Sequence, residues 1–196
     1  MSESDDGTPR PPTRFEDVVS GEIASRVAAH EAGHILAAWL SWAVTSVDRT
    51  VFRGDHVAVE RTFKCPFLPV YLWEALVISS GGMAGEVVTH ITFRTRNSRV
   101  DIVAMRKQVE ALTECFGASV RPPWPEPCVH EAPPFEKYFG GGLPDGWGDL
   151  MRSAYRRARD IILLHRGAFE RLRTAMLVNI ELTTAEIEAA LRMKKA

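Results

Sequence analysis

The sequence predicts a mainly helical (α+β) fold, in which a small β-sheet follows one long apolar helix and a helical pair closes the chain. Three observations carry this. Residues Ile23 to Val44 form an apolar, helix-forming run. Val44, Val47, Val51, Phe52, Val57, Val59 and Phe63 then bring β-prone residues at close intervals. From Asp149 to Val178, the residues Met151, Ala154, Tyr155, Ala158, Ile161, Ile162, Phe169, Leu172 and Met176 recur at the spacing of one helix face.

Taken in order, residues 1–14 offer almost nothing to bury and read as a disordered lead-in. Thr13-Arg14-Phe15-Glu16 has capping-box form and opens a short first helix. The apolar helix runs to about Trp42. Two or three short strands occupy Val44 to Phe63, turned at Arg53-Gly54-Asp55. Leu68 to His90 is a second helix, interrupted in its middle by Ser79-Ser80-Gly81-Gly82, and Ser98 to Phe116 a third. Residues 121–148 include Pro122-Pro123, Pro133-Pro134 and Gly140-Gly141-Gly142, which predicts a long loop or lid. One long amphipathic helix follows from Asp149 to Val178. Thr183-Thr184-Ala185-Glu186 caps a last helix that ends near Met193. Residues 15–196 then form a single domain, without internal repeats.

Composition narrows the function. The 196 residues are 45% hydrophobic, enough for a real core. A net charge of −1 gives no general attraction to nucleic acid or to a membrane surface. No apolar run reaches the roughly 18–20 residues that span a bilayer, so no membrane insertion is expected. Met1 to Pro12 is acidic and Pro-rich, unlike a signal peptide. Cys65, Cys115 and Cys128 are scattered and odd in number, which favours a reducing, cytoplasmic setting over a disulfide framework.

The chemistry concentrates at His30-Glu31-Ala32-Gly33-His34, an H-E-x-x-H pattern inside the apolar helix. Residues four apart share a helix face, so both imidazoles can bind one Zn²⁺, and Glu31 can reach a water on that ion. The reaction this proposes is metal-assisted hydrolysis of an amide bond. A catalytic zinc commonly takes three protein ligands. Downstream, Glu86, His90, Asp101, Glu110 and Glu114 are candidates for the third, and spacing does not choose among them.

The motif and the residues around it resemble the peptidase domain of the FtsH-type (membrane AAA) zinc metalloproteases. Gly81-Gly82-Met83-Ala84-Gly85-Glu86 is similar to that family's Gly-Gly-Arg-Ala-Ala-Glu segment. Ser98-Arg99-Val100-Asp101-Ile102 falls at its Ser-Asn-Asp-Leu segment, and Glu114-Cys115-Phe116-Gly117 at a short Tyr-Gly segment. Ala154-Tyr155-Arg156-Arg157-Ala158 through His165-Arg166, then Leu182-Thr183 to Leu191, resemble its closing helical pair. The likeness covers about residues 25–117 and 149–191. It implies a zincin-like domain with His30, His34 and Asp101 as zinc ligands and Glu31 as general base. It further implies a protein or peptide substrate, a homo-oligomeric ring and a AAA ATPase that delivers substrate. The chain departs from the family in having Met83 for its Arg and Val100 for the Asn before the ligand. It also lacks a G-x-x-x-x-G-K-[ST] phosphate loop, so any ATPase is a separate chain.

Blander readings stand beside these. Asp101 near a helix start suits the macrodipole and a Ser98-x-x-Asp101 cap. Glu86 is equally at home on a solvated face or beside a ligand imidazole. Gly81 and Gly82 suit close helix packing. Cys128 and His130 lack a partnering pair, and the Arg152, Arg156, Arg159, Arg166, Arg173 stripe reads as a solvated face. A non-catalytic module that keeps this fold for binding or regulation is the competing function.

Overall fold

A computed structural model of the chain describes residues 21–52, 57–64, 69–92, 95–117, 146–179, 181–193 and 195. The lead-in at 1–14, the Thr13–Glu16 capping box, the Arg53-Gly54-Asp55 turn, Cys65, His56, Cys128, His130 and nearly all of the loop at 121–148 lie outside the described residues. Among those described, the order is α1 (Gly21–Leu40), β1 (Val44–Phe52), β2 (Val57–Phe63), α2 (Pro69–His90), α3 (Thr95–Phe116), α4 (Trp147–Leu164), α5 (Arg166–Val178) and α6 (Thr184–Leu191). The fold is mainly helical, with one small antiparallel sheet, as the sequence predicts.

α1 is the centre. Ala24, Ala28, Ala29, Ala32, Ile35, Leu36, Ala37, Ala38 and Trp39 are all buried, and from Ala28 to Trp39 the helix is enclosed on every side. It packs most extensively on α2, and also on α5, α4 and both strands. Small residues set the α1–α2 spacing. A Cβ on Gly33 would overlap the carbonyl of Gly81, and one on Gly85 would overlap the carbonyl oxygen of Ala29. The two backbones therefore touch directly.

This contact corrects the expected break in the second helix. α2 runs unbroken through Ser79-Ser80-Gly81-Gly82. Two glycines cost an isolated helix about 1 kcal/mol each, but here their missing side chains admit α1. Ser80 Oγ donates to the Leu76 carbonyl (2.8 Å), and Gln108 of α3 donates to Ser79 Oγ (3.0 Å), so both hydroxyls are satisfied within the helix packing.

The C-terminal stretch departs from the prediction in the opposite sense. The single helix expected over Asp149–Val178 is two helices, α4 and α5, separated at His165 (φ −111°, ψ 32°). Its apolar period continues across the break, from Ile162 to Phe169, Leu172 and Met176, all buried. The two halves serve different partners: α4 packs on α2, and α5 on α1. A straight helix would hold one partner only. Among the described residues, three helices rather than a pair therefore follow the loop.

Among the described residues two strands form, β1 and β2, in an antiparallel pair with irregularities between Val44 and Ser46 and between Val47 and Arg49. The far side of β1 is tied to the start of α6. Thr50 N–H donates to the Leu182 carbonyl (2.9 Å), Leu182 N–H donates to Thr50 Oγ1 (2.7 Å), and Arg49 bridges to Thr183. The predicted cap holds α6: Thr183 Oγ1 accepts from the Glu186 N–H, and Glu186 Oε2 accepts from the Thr183 N–H (2.8 Å).

Candidate metal centre

The α1–α2 crossing aims two imidazoles at one point. His30 and His34 project from the same face of α1 with ring centroids 4.7 Å apart, and both are buried. His34 Nδ1 lies 2.7 Å from the carbonyl oxygen of Ile78 on α2. A carbonyl only accepts, so this nitrogen carries the hydrogen. His30 Nδ1 likewise donates to Glu86 Oε1 at 2.8 Å. Each neutral ring must therefore present an unprotonated Nε2, and these two atoms are 3.1 Å apart.

Asp101 of α3 meets them. Its Oδ2 lies 2.8 Å from His30 Nε2 and its Oδ1 lies 3.3 Å from His34 Nε2. Oδ2 is buried and makes no hydrogen bond, because the hydrogen of a neutral His30 is committed to Glu86. One ligand atom from each of His30, His34 and Asp101 lies within 4.8 Å of the others. Two lone pairs and a carboxylate facing one point repel unless a cation sits among them. Two imidazoles and a carboxylate are also a donor set that zinc accepts. Gly82 keeps the space clear, since a Cβ there would overlap Nε2 of both histidines. These residues fit a divalent ion.

A proton can take the same place. Burial by itself lowers the His30 pKa, but hydrogen bonds to Asp101 and then Glu86 outweigh it and raise the value to about 10. Burial works to raise the Asp101 pKa. The charge of His34 and the hydrogen bonds to both rings prevail, holding its carboxyl well below the usual range. Protons and a metal ion thus compete for the same lone pairs.

Behind the ligands, Arg26 Nη1 lies 3.8 Å from Glu86 Oε2 and donates to the Thr92 carbonyl at 3.0 Å. Arg26, Glu86 and His30 thus form a chain that orients the first imidazole. Glu31 is buried beside the site, and its charge supports the protonated form of both His30 and Arg61.

Of the acids and histidine left open by spacing, only Asp101 faces both rings. Glu86 contacts the far nitrogen of His30. His90 is half-buried with Nε2 3.4 Å from Ser25 Oγ, and Glu110 and Glu114 are exposed. The position of Asp101 needs one correction. α3 begins at Thr95, so Asp101 lies beyond its first turn. The Ser98 Oγ is buried without a hydrogen-bond partner, so the Ser98-x-x-Asp101 cap does not form.

Sequence reading missed the Ile78 carbonyl, the clearance that Gly82 gives the two histidines, and Arg61. No side-chain pattern could mark the first. The second left a trace, a glycine pair inside a helical run, which is costly without a packing reason. Arg61 left another, a charge in the alternation Val57, Val59, Arg61, Phe63. No protein-family model matches the chain, and no curated protein matches it.

Proposed function

We propose that this chain is a zinc-dependent metalloendopeptidase with a zincin-like frame of the FtsH-type, cleaving peptide bonds in unfolded or flexible protein segments. The observation that supports it most is the meeting of His30 Nε2, His34 Nε2 and the Asp101 carboxylate, with both outer imidazole nitrogens already committed as donors. His30, His34 and Asp101 would hold the ion. What zinc supplies in such a site is Lewis acidity, which brings the pKa of water to about 7 and polarises a carbonyl. Glu31 takes the proton released from water and passes it to the leaving amine. Glu86 and the Ile78 carbonyl keep the two imidazoles in the tautomer that leaves Nε2 free.

An extended substrate segment can add to the outer edge of β2, whose sole strand partner among the described residues is β1. Among those residues no helix is long and apolar enough to cross a membrane. Unfolded substrate would then come from flexible proteins directly, or from a separate AAA ATPase acting on a ring of this chain.

Metal analysis paired with a casein assay tests the proposal. The parent is expected to carry about one zinc per chain and to cleave casein until a chelator is added. Glu31→Gln should retain the zinc and lose about 10²- to 10⁴-fold in turnover. Equal cleavage by parent and variant would refute the mechanism. Zinc without any cleavage by the parent would favour a binding module.

A further inference from the structure

Strand β2 carries a charge where its pattern calls for an apolar side chain. Val59, Arg61 and Phe63, each half-buried, stand opposite Thr50, Val47 and Val44 of β1, which are fully buried. Directly opposed residues share a sheet face, so Arg61 lies on the inner face of the sheet, the side toward the core. Its Nε is buried without a hydrogen-bond partner. Its Nη1 makes one long bond, 3.4 Å, to the Val59 carbonyl, and its guanidinium carbon sits 5.6 Å from the Phe63 ring centroid.

Burying a guanidinium with unused donors is unfavourable, and an apolar residue would serve an inner strand position better. Burial indeed works to lower the Arg61 pKa, with Asp101 first and Glu31 second opposing it. Its charge therefore bears on both the third proposed ligand and the proposed base.

We infer that Arg61 is the specificity residue of this site and receives a carboxylate of the substrate near the bond to be cut. The planar guanidinium presents paired donors that match the two oxygens of a carboxylate, whereas a single developing oxyanion would use one. The carboxylate has two sources, an Asp or Glu side chain of the substrate or its free C-terminus. This inference rests on the peptidase reading.

The test uses a peptide spanning a bond that the parent cuts in casein. It is made in four forms: Glu or Gln beside that bond, each with a free or an amidated C-terminus. Binding is followed by fluorescence anisotropy on the zinc-loaded full chain bearing Glu31→Gln, so that no form is consumed. A carboxylate-bearing form should bind about tenfold tighter than the neutral one or better. Which pair shows the preference identifies the source. Adding Arg61→Gln should bring the ratio to about one, and Arg61→Lys should keep part of it. Zinc content checks that each variant retains the site. Absence of a carboxylate preference, or its survival in Arg61→Gln, would overturn the inference and leave the peptidase reading standing. Equal weakening of charged and neutral forms would overturn it too, pointing to a transition-state or structural role. A parent that cuts no bond in casein defeats the peptidase reading, and the inference with it.

Discussion

The α1–α2 crossing and the C-terminal packing of α4 and α5 both bury one helix against another, by different means. At the crossing, backbone meets backbone: Gly33 against Gly81, and Ala29 against Gly85. In the C-terminal half, large side chains interpose, with Tyr155, Phe169, Leu150, Met151 and Ile162 fully buried. Side chains can change rotamer or shift to absorb a substitution, and peptide groups in contact cannot. The proposed metal ligands sit where there is least slack. Ile78 and Glu86 of α2 orient the rings of α1, so any change in the crossing moves the lone pairs that must converge.

The strongest way to break this contrast is Gly33→Ala. Its methyl group would have to displace the Gly81 carbonyl, so a loss of about 3 kcal/mol or more is expected in urea unfolding, together with weakened zinc retention. A loss below about 1 kcal/mol with zinc intact would show that the crossing is elastic.

Next in size is Glu86→Gln, which leaves the crossing in place but removes the charge behind His30. Zinc affinity should fall by about tenfold to a hundredfold, measured against a competing chelator. The parent adds a pH test. Metal-free His30 holds its extra proton up to about pH 10, and zinc must displace that proton. Affinity should therefore rise with pH, about tenfold per unit between roughly pH 6 and 9. A flat profile would mean that His30 is already unprotonated there.

The smallest effect sharpens the other side of the comparison. Ile162→Val in α4 removes one buried methylene from an adaptable interface. It should cost about 0.5–1.5 kcal/mol in thermal unfolding and leave zinc affinity unchanged. A shift in zinc affinity would show that the C-terminal packing also tunes the site.

Much of this was legible along the chain. The i, i+4 placement of His30 and His34, the β-prone run into Phe63 and the Thr183–Glu186 cap all express local periodicity or local hydrogen bonding. The continuity of α2 through Gly81-Gly82 and the break at His165 were not. In both places local propensity was overruled by packing, where a missing side chain let α1 in and one apolar stripe was divided between two partner helices. Arg61 was visible as an exception to its strand pattern, yet its meaning depends on α1 and α3 bringing Glu31 and Asp101 within reach of its charge.

By itself, then, the sequence determined most of the elements and the pairing of the two imidazoles on one helix face, because those follow from the 3.6- and 2-residue periods of the backbone. Spacing left the acid open and the family resemblance pointed to Asp101, but only the tertiary structure brings an acid to both imidazoles. Asp101 and Glu86 are both carboxylates on neighbouring helices, and they reach opposite nitrogens of the same ring. That choice is made by how α1, α2 and α3 come together, and between α1 and α2 the glycines set how closely the two backbones approach.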